Sequence, residues 1–347
     1  MASFNSIQSV SHAEESAAIA ELQCALSGEF RLAEMPFDRD LLSESFMDFI
    51  VENGQDAEDL DYYRAEPEAC YQQAQLLIVE GMAEEIRRSS QILGDHYPFD
   101  ISALDDGVIR TVDQPTAVGQ SYLWLRIYLL RASQNNYIQF DRNNHDRANS
   151  EHHQFDRKFE TVFEYLASFA VAGQYGSAVW VTGRSRRAED YLMLLKDICD
   201  TIGQGKVKKY EDLPENCKTT NDGRSDVIAI TRPNGGFGDN SEIYLTQATF
   251  QKGNIKDKTL KGEHFTFFNN FFQKNIAYAK RGILVVPHRY NPLHASECEL
   301  SNCTYFHLDV LLENLGKAGL TFKLKKAGDE FSDAFGKLGD HVTLQSF

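Results

Sequence analysis

Between residues 11 and 135, apolar positions recur every three or four residues over Glu14–Leu26, Leu41–Glu52, Tyr62–Ser89 and Ser121–Ala132. That spacing predicts amphipathic helices. Turn-rich stretches such as Met35-Pro36-Phe37-Asp38 and Tyr97-Pro98-Phe99-Asp100 separate them. The following segment, Gln134–Glu151, is polar, rich in Asn and without period, and reads as a linker centred on 136–150. Beyond it the pattern changes. Phe155–Ala172 predicts a strong helix with Phe159, Val162, Phe163, Leu166 and Phe169 on its apolar side. Ala178–Gly183, Asp226–Thr231, Ile243–Thr249 and Gly282–Val286 read as strands, and Cys303–Leu308 as an edge strand. Helices are predicted over Arg187–Ile202, Phe265–Tyr278 and Val310–Leu315. Helix, strand, helix, strand, strand, helix, strand is an α/β order. The expected organisation is a helical domain over 1–135 and an α/β domain over 151–347.

Charge sharpens that division. Residues 1–100 hold 21 Asp/Glu against 5 Lys/Arg, which is the whole of the chain's net −16. Residues 101–347 are balanced, with 30 of each sign. The acidic first region argues against nucleic-acid binding there. The second region carries basic clusters: Arg184-Ser185-Arg186-Arg187, and Lys252, Lys256, Lys258 and Lys261 against the single acid Asp257. Either cluster also reads as a plain solvated face. With 347 residues, 42% hydrophobic and 25% charged, the chain can bury a sizeable core. The longest apolar runs, Tyr165–Gly173 and Ile283–Pro287, are too short to span a bilayer. The first residues carry acids where a secretory signal has Lys/Arg, and six cysteines lie scattered without a CxxC pair. The expectation is a cytoplasmic protein.

The chemistry concentrates on two strands. Gly223-Arg224-Ser225-Asp226 opens one apolar strand, and Gln247-Ala248-Thr249 closes the next. In an antiparallel pair Asp226 falls beside Gln247 and Thr249, which share a face because strand side chains alternate. Upstream, Glu160 follows Phe159, and Glu164 lies one helical turn on. Each residue has a plainer reading: Asp226 as a turn residue, the two glutamates as solvent-facing helix acids (Glu164 above all), Thr249 as a good strand former.

These residues resemble the PD-(D/E)XK superfamily of restriction-endonuclease-like nucleases, in its Mrr-like branch, over about 150–317. There a helix bears Phe-Glu, an aspartate enters the second strand and Gln-x-Lys lies on the third. The resemblance implies a mixed sheet flanked by helices. It makes Glu160, Asp226 and Gln247 the catalytic and Mg²⁺-binding residues, with Mn²⁺ as a substitute. Thr249 stands where the family has its lysine, a departure that admits either a relocated lysine or a dead site. Lys252 or Lys256, in the tail Gly253-Asn254-Ile255-Lys256-Asp257-Lys258, would be the replacement. The implied activity is cleavage of DNA phosphodiester bonds by an effector subunit of a bacterial anti-phage system. Arg184, Arg186, Arg187, Lys252, Lys258 and Lys261 would contact phosphates. The acidic domain would dock a helicase- or ATPase-type partner, and oligomers are compatible with this picture. The alternative is an inactive nuclease-fold subunit that binds DNA or such a partner; a third reading makes the acidic region a DNA mimic.

A second cluster, His288, His294, Cys298 and Cys303 with His307 nearby, has soft donors for Zn²⁺, but its spacings match no standard finger, and structural zinc is disfavoured. No phosphate-loop, nucleophile-elbow or dinucleotide fingerprint is present.

Overall fold

The computed structural model of the chain describes residues 4–35, 57–132, 138–139, 151–182, 187–219, 224–249, 258–317 and 343–344. It divides into two compact units, one of residues 1–140 with 335–347 and one of 141–334.

In the first unit, helix α1 (Phe4–Ser27) packs on α3 (Pro67–Leu93) and α4 (Ala117–Ala132), and α2 (Ala57–Ala65) precedes α3. The expected helix Tyr62–Ser89 is broken at Glu66, because Pro67 has no N–H to continue the ladder and starts a new helix instead. The α1–α3 contact is close: Ala17, Ala18 and Ala20 are fully buried, and a Cβ on Gly81 would come within 3.1 Å of Ala13. The unit is not purely helical. Strands β1 (Glu29–Arg31), β2 (Phe99–Asp100) and β3 (Val108–Thr111) form an antiparallel sheet in the order β1-β3-β2. In the expected linker, β4 (Ile138–Gln139) pairs antiparallel with β12 (Thr343–Leu344), near the chain's other end. The helix expected over Leu41–Glu52 lies outside the described residues.

The second unit is a mixed α/β layer structure. Helix α5 (Glu151–Tyr175) leads into β5 (Ala178–Val181); α6 (Ala188–Ile202), β6 (Lys206–Val207) and the short α7 (Glu215–Lys218) follow. Then come β7 (Val227–Ile230), β8 (Glu242–Ala248), α8 (Gly262–Asn269), β9 (Phe272–Lys274), β10 (Ala279–Val285), α9 (Pro292–Leu300), β11 (Cys303–Phe306) and α10 (Leu308–Lys317). The main sheet has the order β11-β10-β8-β7-β5, with β11 on the edge as expected. β5, β7 and β8 form an antiparallel meander, and β8, β10 and β11 run parallel. Alternation sorts the two faces. Ile228, Ile230, Ile243 and Leu245 pack with Tyr191, Leu195 and Ile198 of α6 and Phe267, Phe268 of α8. On the other face α5 packs across β5, β7 and β8, with α10 along it. There Tyr175 stacks on Tyr244 at 4.2 Å between ring centroids. The helix expected over Phe265–Tyr278 ends at Asn269, because Phe272–Lys274 pairs with β6 as a strand. Among the described residues no helix is long and apolar enough to cross a membrane.

Candidate functional site

The β7–β8 register pairs Val227 with Thr246 and Ile228 with Leu245, so Asp226 meets Gln247 one step beyond the strand. Backbone bonds hold Asp226 from both sides: its N–H donates to Thr246 O at 2.8 Å, and its carbonyl accepts from Thr182 N–H at 2.8 Å. The side chain is then committed to the next positions of β8. Asp226 Oδ2 accepts from Gln247 Nε2 at 2.5 Å and from the Ala248 N–H at 2.8 Å. β7 offers no carbonyl opposite Ala248, and the carboxylate takes that donor. Thr249 turns its N–H to Val285 O at 3.0 Å, joining the site to β10. Asp226 is 8% exposed and Thr249 5%, while Gln247 is half-buried at the mouth. The sequence pairing of Asp226 with Gln247 is thus a direct hydrogen bond, with Thr249 on the same face of the sheet.

The neighbouring positions point to the α5 side. Ser225 Oγ and Thr246 Oγ1 are enclosed there without a hydrogen-bond partner. Buried hydroxyls left unsatisfied are costly, so polar groups occupy both faces of this strand end. Helix α5 brings Glu164 to the strands it crosses, and Glu164 Oε2 is enclosed. The solvent-facing expectation for Glu164 is therefore corrected. The signal was present, since Phe163-Glu164 repeats the Phe159-Glu160 pair one turn later. Glu160 lies on α5, with its side chain outside the described residues.

Of the other candidates, Lys252, Lys256, Arg184 and Arg186 lie outside the described residues. Arg187 is exposed at the start of α6 and pairs with Asp190 at 3.4 Å. Lys258 and Lys261 are half-buried beside α8, where Lys261 takes the N-capping position.

The His/Cys group separates into two pairs on the α8 side of the sheet. Cys298 and Cys303 are buried with Leu284 and Val286 and hydrogen-bond each other, which pulls Cys303 down and pushes Cys298 far up. The His288 and His294 rings lie 5.7 Å apart, and His294 Nδ1 is 3.4 Å from the Tyr305 hydroxyl. Among the described residues no group of three or more His, Cys, Asp or Glu is arranged to hold a metal.

Comparison with protein-family models found no matching family, and searches of curated proteins and of solved structures found no match.

Proposed function

We propose that the chain is a metal-dependent nuclease of the PD-(D/E)XK type that hydrolyses DNA phosphodiester bonds. One observation carries this reading: Asp226, fixed by backbone bonds to both neighbouring strands, meets Gln247 across the β7–β8 register. The element order supports it, with a helix, three antiparallel strands of which the first two are separated by α6, β6 and α7, a crossover helix and a parallel fourth strand. A turn aspartate needs no glutamine partner.

The donor set suits Mg²⁺, which binds through one or two carboxylates and completes its shell with water and substrate phosphates. Asp226 would hold it, with the Gln247 carbonyl as a neutral second donor once the amide turns over from its bond to Asp226. When bound, the metal neutralises charge on the scissile phosphate and activates water. The chain's own part is preorganisation: Asp226 is set by three backbone contacts and needs no rearrangement to present its carboxylate. Glu160, the helix acid that the resemblance selects, would be the second carboxylate. Thr249 offers no charge, so the compensating cation would come from Lys252 or Lys256. The acidic first unit would serve as the docking module for a helicase- or ATPase-type partner in a cytoplasmic anti-phage system.

A second reading is favoured by Thr249 and by the Ala248 N–H that Asp226 satisfies. On it, the site is a structural remnant in a subunit that binds DNA or its partner. Plasmid cleavage in Mg²⁺ and Mn²⁺ separates the two. Asp226→Asn is expected to lower the rate on the order of a hundredfold or more. Equal cleavage by wild type and variant would refute the nuclease assignment.

A further inference from the structure

The register of the main sheet carries one row of side chains away from the Asp226–Gln247 contact. Gln247 of β8 pairs with Leu284 of β10, and Leu284 pairs with Tyr305 of β11. Paired residues point to the same side of a sheet, so Gln247, Leu284 and Tyr305 share the face that holds Asp226. Neighbouring strands lie about 4.8 Å apart, which puts the Tyr305 backbone about 10 Å from that of Gln247. Leu284 is fully buried, while Gln247 and Tyr305 are half-buried on either side of it. Tyr290, in the turn between β10 and α9, leans on the far end of this row. Its ring centroid is 6.1 Å from that of Tyr305 and 5.5 Å from that of His307, and those two are 5.6 Å apart. Tyr290 nevertheless remains 56% exposed.

Three rings that touch one another form a buttress rather than a cage. Centroid separations of 5.5–6.1 Å are those of aromatic rings in direct contact. They leave no room between the rings for a methylated ammonium, which an aromatic cage would hold. The Tyr290 plane meets His307 at 83° and Tyr305 at 55°, so neither contact is a parallel stack. What the cluster offers is the outward surface of Tyr290, braced from behind. A flat aromatic surface takes another flat ring, and stacking of bases on such side chains grips single strands whatever their sequence. Bases inside a duplex already stack on each other and cannot use it. The length of the row fits the same ligand. About 10 Å corresponds to about three steps of a stacked strand, so a strand with a phosphate at the Asp226–Gln247 mouth brings a nearby base within reach of Tyr290.

We infer that Tyr290, braced by Tyr305 and His307, is a stacking platform for an unpaired base of the strand held at the Asp226–Gln247 mouth. The inference rests on the nuclease reading for the kind of polymer, and adds that the substrate carries unpaired bases next to the cut. The test is fluorescence anisotropy of the full chain in EDTA with three labelled probes of equal length: a single strand of DNA, an all-abasic strand and a blunt duplex. Wild type is expected to bind the base-bearing single strand on the order of tenfold more tightly than the abasic strand. Tyr290→Ala should erase that difference and leave the abasic strand and the duplex bound as in wild type. Tyr290→Phe, which keeps the ring, should retain it. Because no phosphate contact is lost, the slope of log K against log salt should be the same in all three proteins. Equal binding of the base-bearing strand by wild type and Tyr290→Ala, a loss of the same size on the abasic strand, or no binding of the single strand by wild type would overturn the platform. The two proposals fail separately: plasmid cleavage that survives Asp226→Asn sinks the nuclease whatever the anisotropy shows, and an unchanged preference for bases in Tyr290→Ala sinks the platform but not the nuclease.

Discussion

Glu21 in the first unit and Asp226 in the second are both carboxylates removed from bulk water, and their surroundings treat them differently. Glu21 is 0% exposed and accepts from the Tyr97 hydroxyl at 2.5 Å, the Tyr122 hydroxyl at 2.7 Å and Arg126 Nε at 2.7 Å. Arg126, equally buried, also reaches Glu85 at 3.2 Å. Asp226 accepts from the Gln247 amide and the Ala248 N–H, and it sits at the end of a sheet beside half-exposed Gln247. A charge neutralised inside a core fixes how three helices meet. A carboxylate at a strand mouth lies where the sheet ends, beside a polar side chain that reaches solvent. Burial alone therefore does not mark a functional carboxylate; its place on the element counts as well.

The sharpest way to break the comparison is to remove the cation from the first site. Arg126→Met leaves Glu21 buried with no guanidinium, and losing one partner of a buried pair costs about 3–5 kcal/mol. Urea unfolding followed by far-ultraviolet circular dichroism should show that loss, and Glu21→Gln/Arg126→Met should recover much of it. A cost below about 1 kcal/mol would mean the pair is not the structural element described.

The two phenols give a smaller, pH-dependent effect. Burial holds Tyr97 and Tyr122 well above the usual phenol range; the Glu21 charge adds to this for both, with Arg126 opposing. A raised folded pKa means the fold keeps its protons where the unfolded chain loses them. The stabilisation is complete below the unfolded value of about 10 and is lost as pH rises beyond it. Unfolding free energy should therefore fall above about pH 10. Tyr97→Phe should cost about 1–2 kcal/mol at neutral pH by taking one donor from Glu21, and should make the alkaline decline shallower. A decline as steep in Tyr97→Phe as in wild type would place the titrating group elsewhere.

Legibility in the sequence followed the range of the forces involved. The helix–strand–helix–strand–strand order of the second unit could be read because each of these elements is long enough to show its period, and the Asp226–Gln247 pair could be read because an antiparallel register is local. The first unit's sheet could not: β1 has three residues and β2 two, too few to show alternation. Phe265–Tyr278 misled because its aromatics fit either a helix or a strand, and pairing of Phe272 with Val207 decided the outcome. The Glu21–Arg126 pair spans 105 positions, and nothing near either residue announces the other.

The mildest change sharpens the contrast most directly. Gln247→Glu replaces the amide that donates to Asp226 with a second carboxylate at the same mouth. Two like charges at hydrogen-bond distance disfavour joint ionisation, so in EDTA the variant should lose about 1 kcal/mol or less, a shift of about 2–4 °C in a chain of this size. Added Mg²⁺ should reverse the loss and raise the melting temperature above that of wild type under the same conditions, because two carboxylates hold the ion better than one carboxylate and an amide. At the first site no such reversal is expected, since the charge of Glu21 is already met by Arg126. If Mg²⁺ leaves the melting of Gln247→Glu unchanged, the strand mouth does not gather cations, and Asp226 is as structural as Glu21.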